Sequence, residues 1–243
     1  MWRAAECKQL DAMAKQGMYG EPVIAPLDAI ILRQHWTYLH KEDGTRKARN
    51  CCDGSVKAAP ALHAVAQTYA SCVEQPCMHL FYALCAALGL LVLSTDADNA
   101  YANSPPPGIP TFVRIDDAYA EWYKDKYGAD IDRSMVLPVL HALPGHPESG
   151  ALWEKHIATI MTDLGFSSTT HERNIYHGTI DGHRVLVCRQ VDDLAVACDD
   201  IDIAKKVITM IGERVDLTGN SLLSKFNGVD VDQTRDYVKM HCA

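Results

Sequence analysis

Two apolar segments that each lead into aspartates constrain the fold of this chain more than any other feature. The first runs from Leu90–Leu93 through a short polar step to Asp96. In the second, the pair Asp192-Asp193 stands between the apolar segments 183–190 and 194–198. Apolar runs without alternation are typical of strands that are covered on both faces. The acidic pair lacks the glycine or asparagine of an ordinary turn, so we predict a hairpin with an acidic tip and another strand that ends in Asp96.

The rest of the sequence alternates helical and strand patterns without a regular βαβ array. Helical spacing of apolar residues predicts helices over 2–16, 77–88, 98–103, 117–127, between Gly150 and Gly165, and over 202–213. Strands are predicted over 30–39, 46–52, 90–96, 174–180, 183–190, 194–198, 226–231 and 237–241, with turn signals at 41–44 and 181–182. This order predicts an α+β fold with antiparallel strand pairs.

The composition is that of a globular protein with a net negative charge. The 243 residues are 48% hydrophobic and 22% charged, which supplies a core and excludes intrinsic disorder. Acidic side chains outnumber basic ones by 31 to 23, and the net charge of -8 argues against a free-standing nucleic-acid binder. The longest apolar stretch, 81–93, is too short to span a bilayer, and residues 1–6 lack the apolar core of a signal peptide. The nine cysteines are therefore expected to be reduced thiols of an intracellular protein.

The three aspartates would meet at one edge of a sheet if their strands are neighbours. Two like charges about 4 Å apart repel by roughly 4 kcal/mol at an effective dielectric constant of about 20. Such a cluster is stable only if it binds a cation or shares a proton. Mg²⁺ combines a few protein carboxylates with water and phosphate oxygens, and two such ions can serve an in-line phosphoryl displacement. The residues alone therefore predict metal-dependent phosphoryl or nucleotidyl transfer.

Six short motifs, found in the same order, resemble the reverse transcriptase of copia-type LTR retrotransposons and together cover nearly the whole chain. The fingers hairpin of that family resembles Trp36, Asp43-Gly44 and Lys47-Ala48-Arg49, and its next motif resembles Gln67-Thr68-Tyr69-Ala70. Its palm motifs resemble, in order, Thr95–Tyr101, then Leu140–Leu143 with Pro147 and Trp153, then Gln190–Asp193, and finally Phe226–Val229. Each motif alone is a weak signal, but six in the order of the family are a specific one.

The resemblance implies an RNA-directed DNA polymerase that transfers nucleotides from dNTPs to the 3′-hydroxyl of a primer by a two-metal mechanism. Asp96, Asp192 and Asp193 would be the catalytic carboxylates and would also bind the metal ions. The backbone carbonyl of Ala97 would be a further metal ligand. The cofactor would be Mg²⁺, as two ions, with Mn²⁺ as a substitute.

The resemblance also implies which residues bind the incoming dNTP. Lys47 and Arg49 would hold the triphosphate from the fingers, where a bidentate guanidinium suits phosphate. Tyr101 would pack under the sugar and exclude a 2′-hydroxyl. From the residue alone, Tyr101 could equally be an ordinary core aromatic.

For the architecture, the resemblance implies the fingers and palm of a right-hand polymerase, with helices packed on one face of an antiparallel palm sheet. Residues 1–95 would form an N-terminal segment and the fingers, interleaved with the start of the palm. Residues 96–243 would form the palm, and the thumb would be absent or incomplete. The partners would be an RNA or DNA template with a DNA primer, dNTPs and the remainder of a Gag-Pol-type polyprotein. No membrane is implied, and the location would be a cytoplasmic virus-like particle.

Several positions depart from the pattern of the family and leave two alternatives open. Gln190 replaces a tyrosine, Pro144-Gly145 replaces Lys-Gln, and His79 replaces an arginine. The first alternative is therefore a catalytically inactive retrotransposon remnant with weak nucleic-acid binding. The second is a haloacid-dehalogenase-like phosphatase, because Asp96-Ala97-Asp98 imitates the nucleophile motif of that family. Against the phosphatase, Ala100 stands where that family has threonine or valine, and the motif lies far from the start of a parallel-sheet domain.

Overall fold

The structure, a computed structural model, describes residues 2–41 and 43–241, and they form the α+β fold that the sequence predicts. The helices are α1 (Arg3–Lys15), α2 (Pro60–His63), α3 (Gln75–Ala87), α4 (Asp117–Tyr127), α5 (Ser149–Asp163) and α6 (Ile201–Gly212), with a 3-10 helix at Ala100–Asn103. The first seven strands are β1 (Ile30–Leu32), β2 (Gln34–His40), β3 (Arg46–Cys52), β4 (Leu91–Ala97), β5 (Thr111–Arg114), β6 (Val136–Pro138) and β7 (Ser167–Ser168). The other strands are β8 (Ile175–Ile180), β9 (His183–Gln190), β10 (Asp193–Cys198), β11 (Leu217–Leu222), β12 (Lys225–Phe226), β13 (Val229–Gln233) and β14 (Val238–His241). Among these residues, no helix is both long and apolar enough to cross a membrane.

The chain divides into two compact units, and each is assembled from two separate stretches of sequence. The first unit contains residues 1–69 and 101–153. The second contains residues 70–100 and 154–243. The chain therefore crosses between the units three times, after residues 69, 100 and 153, and the second crossing follows β4.

The first unit is built on a three-stranded sheet in the order β1-β5-β6 and a separate hairpin, β2–β3. In the sheet, β1 is parallel to β5, and β6 is antiparallel to it. The amphipathic helices α1 and α4 bury Leu10, Met13 and Trp122 in one cluster with Val113 of β5. Helix α4 has the predicted bounds because Asp116 accepts a hydrogen bond from the first turn at its N-cap.

The second unit is built on a six-stranded antiparallel sheet in the order β11-β4-β10-β9-β8-β7. Alternate residues of β10, Ala195 and Ala197, pack in a cluster with α3 and with residues of β12 and β13. The intervening residues Leu194, Val196 and Cys198 are also buried, and α6 contacts β4, β10 and β11. Both faces of the strand are therefore covered, which explains its uninterrupted apolar sequence. Helix α6 corresponds to the expected helix layer on one face, while α3 and the small sheet add a cover on the other.

Two predicted strands are wrong in their extent. The strand predicted over 30–39 is broken at Arg33, because β1 pairs in the three-stranded sheet whereas β2 pairs with β3. The strand predicted over 226–231 is a hairpin, because Asn227 and Gly228 adopt positive φ angles of 50° and 77° and form a two-residue turn between β12 and β13. Asn-Gly is itself a strong hairpin signal, and the apolar residues on either side obscured it. The turn predicted at 41–44 includes Glu42, which lies outside the described residues.

Other predictions agree with the structure at the level of whole elements. The strand over 46–52 and the helix over 117–127 have the predicted bounds, and the Asp181-Gly182 turn joins β8 to β9. The short helix predicted over 98–103 is a 3-10 helix at Ala100–Asn103. The strands β5, β6, β7 and β11 were not predicted, because they are short or, like β11, mostly exposed.

The loop that contains Pro144-Gly145 needs its glycine. Cys52 donates a backbone hydrogen bond of 2.8 Å to the carbonyl of Pro144. A Cβ at Gly145 would lie 2.1 Å from the carbonyl oxygen of Cys52, and its φ of +87° is in the left-handed region. Pro144-Gly145, which departs from the pattern of the resembling family, therefore packs closely against β3, and only glycine fits at position 145.

The next residue in that loop, His146, is buried and should make stability depend on pH. Burial, assisted by the charge of His63, lowers the pKa of His146 to about 4, from 6.5 in an exposed state. Between these values the unfolded chain takes up a proton that the folded chain does not, so stability falls as the pH drops. We expect the loss from pH 7 to pH 5 to be about 1–2 kcal/mol larger in the wild type than in His146→Gln. Urea unfolding of both proteins at the two pH values measures this difference, and equal losses would contradict it.

Candidate active site

The second unit brings the three predicted aspartates together. Strand β10 is antiparallel to β4, and the register places Asp193 directly opposite Asp96. On its other side β10 pairs with β9, where Gln190 is opposite Asp193. Only Val191 and Asp192 remain in the turn between these two strands. The strands that carry the aspartates are thus neighbours in one sheet, which is the condition under which the carboxylates converge.

The hydrogen-bond pattern shows how close the facing aspartates are. The backbone N–H of Ala97 donates to the carbonyl of Asp192 over 2.9 Å. Because hydrogen-bonded and non-hydrogen-bonded pairs alternate in an antiparallel ladder, Asp96 and Asp193 form a non-hydrogen-bonded pair. The side chains of such a pair point to the same face, and their Cα atoms are about 4.5 Å apart. The N–H and C=O of a strand residue point to the same neighbour, so the Ala97 carbonyl also faces the turn.

The negative charges of the three carboxylates repel one another. Burial raises the pKa of Asp193, and the charge of Asp192 raises it further. A hydrogen bond between the carboxyl groups of Asp193 and Asp96 acts in the opposite direction and lowers that pKa. Two carboxyl groups can share a hydrogen bond only if one of them holds a proton. Without a cation, a shared proton therefore relieves the repulsion, and a divalent cation could replace that proton.

The turn between β9 and β10 is strained. Val191 has a φ of 56°, in the left-handed region that β-branched residues strongly disfavour. A backbone of this kind costs on the order of 1–3 kcal/mol and persists only where its surroundings fix it. The turn places Asp192 beside the facing pair Asp96 and Asp193. The strained residue, Val191, is thus directly next to the position where the three carboxylates crowd together.

A buried arginine on β9, which the sequence analysis missed, supports this turn. Arg189 is 2% exposed, and its guanidinium donates to the carbonyl of Val191 over 3.4 Å. The same group donates to the side-chain oxygen of Asn174 and, over 3.5 Å, to the carbonyl of Ser71. The available signal was a cation directly after the apolar residues 185–188 of β9, but its partners are distant in sequence.

The partners of Arg189 form a polar network inside the second unit. Asn174 donates from its side-chain amide to Glu172 over 2.9 Å and to the hydroxyl of Ser71 over 3.0 Å. The backbone and hydroxyl of Ser71 both donate to Glu154 over 2.7 Å. The carboxylates of Glu154 and Glu172 therefore hold the residues that accept hydrogen bonds from the guanidinium of Arg189. This network compensates the cost of burying the positive charge.

Gln190, which stands where the resembling family has tyrosine, joins the turn to its surroundings. Its side-chain oxygen accepts from the backbone of Val73 over 3.1 Å. Its side-chain amide donates to Asn227, in the turn between β12 and β13, over 3.4 Å. The glutamine therefore has specific partners in this chain, so this departure is structurally accommodated.

The predicted dNTP-binding residues lie in the first unit. Lys47 and Arg49 alternate on β3 with the buried residues Ala48 and Asn50, so both cations are on the outer face of the β2–β3 hairpin. Arg49 is exposed and Lys47 is half-buried. Tyr101 is half-buried in the 3-10 helix. The hairpin thus presents two adjacent cations on one surface.

Comparison with known proteins identifies one family. Residues 21–243 match the model of the family described as reverse transcriptase (RNA-dependent DNA polymerase). No curated protein matches the chain. The fold is shared with apo telomerase from Candida tropicalis truncated from its C-terminal domain, with a TM-score of 0.52 at 11% identity over 99% of this chain and 60% of that chain. 

Two further solved structures have lower scores. The foamy viral protease–reverse transcriptase in complex with double-stranded DNA has a TM-score of 0.48 at 12% identity, over 98% of this chain and 35% of that chain. Telomerase from Candida albicans with a fragment of telomeric RNA has a TM-score of 0.47 at 10% identity, over 99% of this chain and 49% of that chain. The present chain therefore spans 60% or less of the length of these three proteins.

Replacing Arg189 tests its role in supporting the turn. Arg189→Ala leaves several buried acceptors without their donor, so we expect the free energy of unfolding to fall by about 2–4 kcal/mol. Arg184→Ala is a matched control, because Arg184 is exposed on the same strand, and it should change stability by no more than about 0.5 kcal/mol. Urea unfolding measures both, and similar small effects for the two variants would show that the network does not stabilise the unit.

Proposed function

The chain belongs to the reverse transcriptase (RNA-dependent DNA polymerase) family, and we propose that it is the polymerase domain of a copia-type retrotransposon polyprotein that extends a DNA primer on a nucleic-acid template. The observation that carries the proposal is the direct pairing of Asp96 with Asp193 beside the two-residue turn that holds Asp192. The identity of the element as copia-type rests on the six sequence motifs.

Asp96, Asp192 and Asp193 would act as the catalytic carboxylates and hold Mg²⁺, or Mn²⁺ in its place, together with the carbonyl of Ala97. This ligand set fits, because the carboxylates face one another, Asp193 has a raised pKa, and Mg²⁺ prefers oxygen ligands. Two bound ions would neutralise charge at the reacting phosphate and favour ionisation of the primer 3′-hydroxyl. The protein contributes the fixed spacing of the carboxylates, which requires no rearrangement when charge develops.

Lys47 and Arg49 would bind the triphosphate of the incoming dNTP. Their placement on the outer face of the β2–β3 hairpin supports this role, because both heads can reach a polyanion from one surface. Tyr101 would pack against the sugar and select deoxyribose. The 3-10 helix that carries it follows within a few residues of Asp96.

The domain roles follow from the same proposal. Residues 1–95 would supply the N-terminal segment and fingers, interleaved with the palm, and residues 96–243 would supply the palm. The template would be RNA or DNA with a DNA primer. The proposed partners also include the remainder of a Gag-Pol-type polyprotein, which would supply the other functions.

The phosphatase alternative is wrong. Asp96-Ala97-Asp98 lies at the end of β4, and both neighbours of that strand, β10 and β11, are antiparallel to it. A haloacid-dehalogenase-like site requires a parallel sheet, and the family match is to reverse transcriptases. The inactive remnant remains the competing hypothesis, and an activity measurement separates it from the polymerase.

The test is Mg²⁺-dependent extension of a DNA primer on an RNA template. Asp192→Asn should reduce the rate by about 1,000-fold or more, because it removes a carboxylate that would hold the metal ions at the reacting phosphate. Asp163→Asn is a matched control at the exposed end of α5 and should extend the primer at the wild-type rate. Undiminished extension by Asp192→Asn would contradict the catalytic assignment.

A second protein separates an incomplete chain from an inactive one. The same chain is fused to the thumb region of an intact reverse transcriptase and assayed with the same variants. Extension by the fusion that is lost in Asp192→Asn supports the polymerase. A folded fusion that binds primer–template but does not extend it would favour the inactive remnant.

A further inference from the structure

Three metal-ligating side chains of different types converge at the end of β9 and β10 that is remote from the acidic turn. They are His183, the first residue of β9, Cys198, the last residue of β10, and Asp199, which follows it. Their ligand atoms all lie within 4.8 Å of one another. At about 3.3 Å per residue, the five steps from Asp193 to Cys198 put this cluster about 17 Å from the paired aspartates at the other end of β10.

One carboxylate oxygen is the meeting point of the cluster. Nδ1 of His183 lies 2.8 Å from Oδ1 of Asp199. The thiol of Cys198 donates to the same oxygen over 3.4 Å. A nitrogen and a sulfur therefore both contact the same carboxylate oxygen, so three different ligand types lie side by side.

The backbone around the cluster is well defined by its hydrogen bonds. The β9–β10 register places Cys198 opposite Val185, next to the start of β9. The Asp181-Gly182 turn, with φ angles of 52° and 85°, directs the chain into His183. Asp200 caps α6 by accepting from the backbone of Asp202 over 2.8 Å, which fixes the residue after Asp199. The ligands are thus carried by paired strands and a capped helix start rather than by a loose loop.

We propose that His183, Cys198 and Asp199 bind one transition-metal dication, and that Zn²⁺ is the best match, with water as the fourth ligand. Imidazole, thiolate and carboxylate are the ligands that Zn²⁺ uses in proteins, in tetrahedral geometry. Standard zinc–ligand bond lengths of about 2.0–2.3 Å correspond to ligand separations of about 3.3–3.6 Å in a tetrahedron. Two of the separations, 2.8 and 3.4 Å, are close to these values, and the third, between the imidazole nitrogen and the sulfur, lies within 4.8 Å and shortens when the ion binds.

The charge of the site is balanced when the metal replaces protons. Zn²⁺ would displace the thiol proton of Cys198 and bind the lone pair of Nδ1 of His183, and any proton on either atom would leave to solvent. The site would then be neutral, with imidazole, thiolate, carboxylate and a dication, which avoids burying an uncompensated charge.

The surrounding charges favour a cation. The carboxylates of Asp181 and Asp200, like that of Asp199, lie near enough to His183 to act on it electrostatically. Lys206 of α6 pairs with Asp181 over 2.6 Å. Cys198 is buried, while His183 and Asp199 are partly open to solvent, so an ion can enter from the surface and find a shielded sulfur.

This site differs in chemistry from the acidic turn and stands independently of the polymerase proposal. The acidic turn offers oxygen atoms alone, which suit Mg²⁺, whereas this cluster offers nitrogen and sulfur, which Mg²⁺ avoids. A bound ion would join the first residue of β9 to the connection between β10 and α6. It would therefore brace the end of the hairpin opposite the acidic turn.

The test is a titration with Co²⁺, a spectroscopic substitute for Zn²⁺, under reducing conditions and with excess Mg²⁺ to occupy oxygen sites. We expect one Co²⁺ per chain with a thiolate-to-cobalt charge-transfer band, which Zn²⁺ displaces. His183→Gln and Cys198→Ala should lose the band, and their Zn²⁺ affinity should fall by about 100-fold or more. Losing a residue that only hydrogen-bonds to a metal ligand already costs about 10–100-fold, and these variants remove a ligand itself. Cys72→Ala and His177→Gln, which change exposed residues of the same types, should bind as the wild type does.

Cys198 is fully buried, so its substitution also perturbs the core. His183→Gln and Asp199→Asn are therefore the decisive variants, because they change partly exposed side chains. Circular dichroism confirms that each variant is folded before titration. No charge-transfer band in the wild type would overturn the proposal. An unchanged band and affinity in folded His183→Gln and Asp199→Asn would also overturn it.

Discussion

The repulsion among three carboxylates at one edge of a sheet is the constraint on which the second unit depends. Asp96 and Asp193 face each other across two antiparallel strands, and Asp192 lies in the adjoining turn. Such an arrangement is unfavourable in itself and is maintained only by a shared proton or a cation together with a rigid frame. The rest of the unit supplies that frame, because β10 is buried on both faces and paired on both edges.

The frame includes polar interactions that extend well beyond the aspartates. The strained backbone of Val191 is held by the pairing of β9 with β10 and by the buried guanidinium of Arg189. Gln190 joins the same turn to Val73 and to the β12–β13 turn. Two residues that look like losses from the family pattern, Gln190 and Gly145, therefore have defined partners or a defined steric role in this chain.

The sequence predicted the parts of the site that local patterns determine. Unalternated apolar residues identified β4 and β10 as buried strands, and their terminal aspartates then met because the strands are neighbours. The Arg189 network could not be predicted, since its contact with Ser71 joins residues 118 positions apart. The break at Arg33 was missed for a similar reason, because strand partners, and not local propensity, decide which sheet a segment joins.

The proposed polymerase activity requires a divalent cation at the acidic turn, and direct metal binding tests this most simply. Mn²⁺ has an electron paramagnetic resonance signal that falls when the ion is bound, so a titration gives stoichiometry and affinity without any substrate. We expect Mn²⁺ to bind the folded chain, Mg²⁺ to displace it, and Asp96→Asn to weaken binding by about 10-fold or more, while Asp163→Asn leaves it unchanged. Equal Mn²⁺ affinity in Asp96→Asn and the wild type would contradict the account.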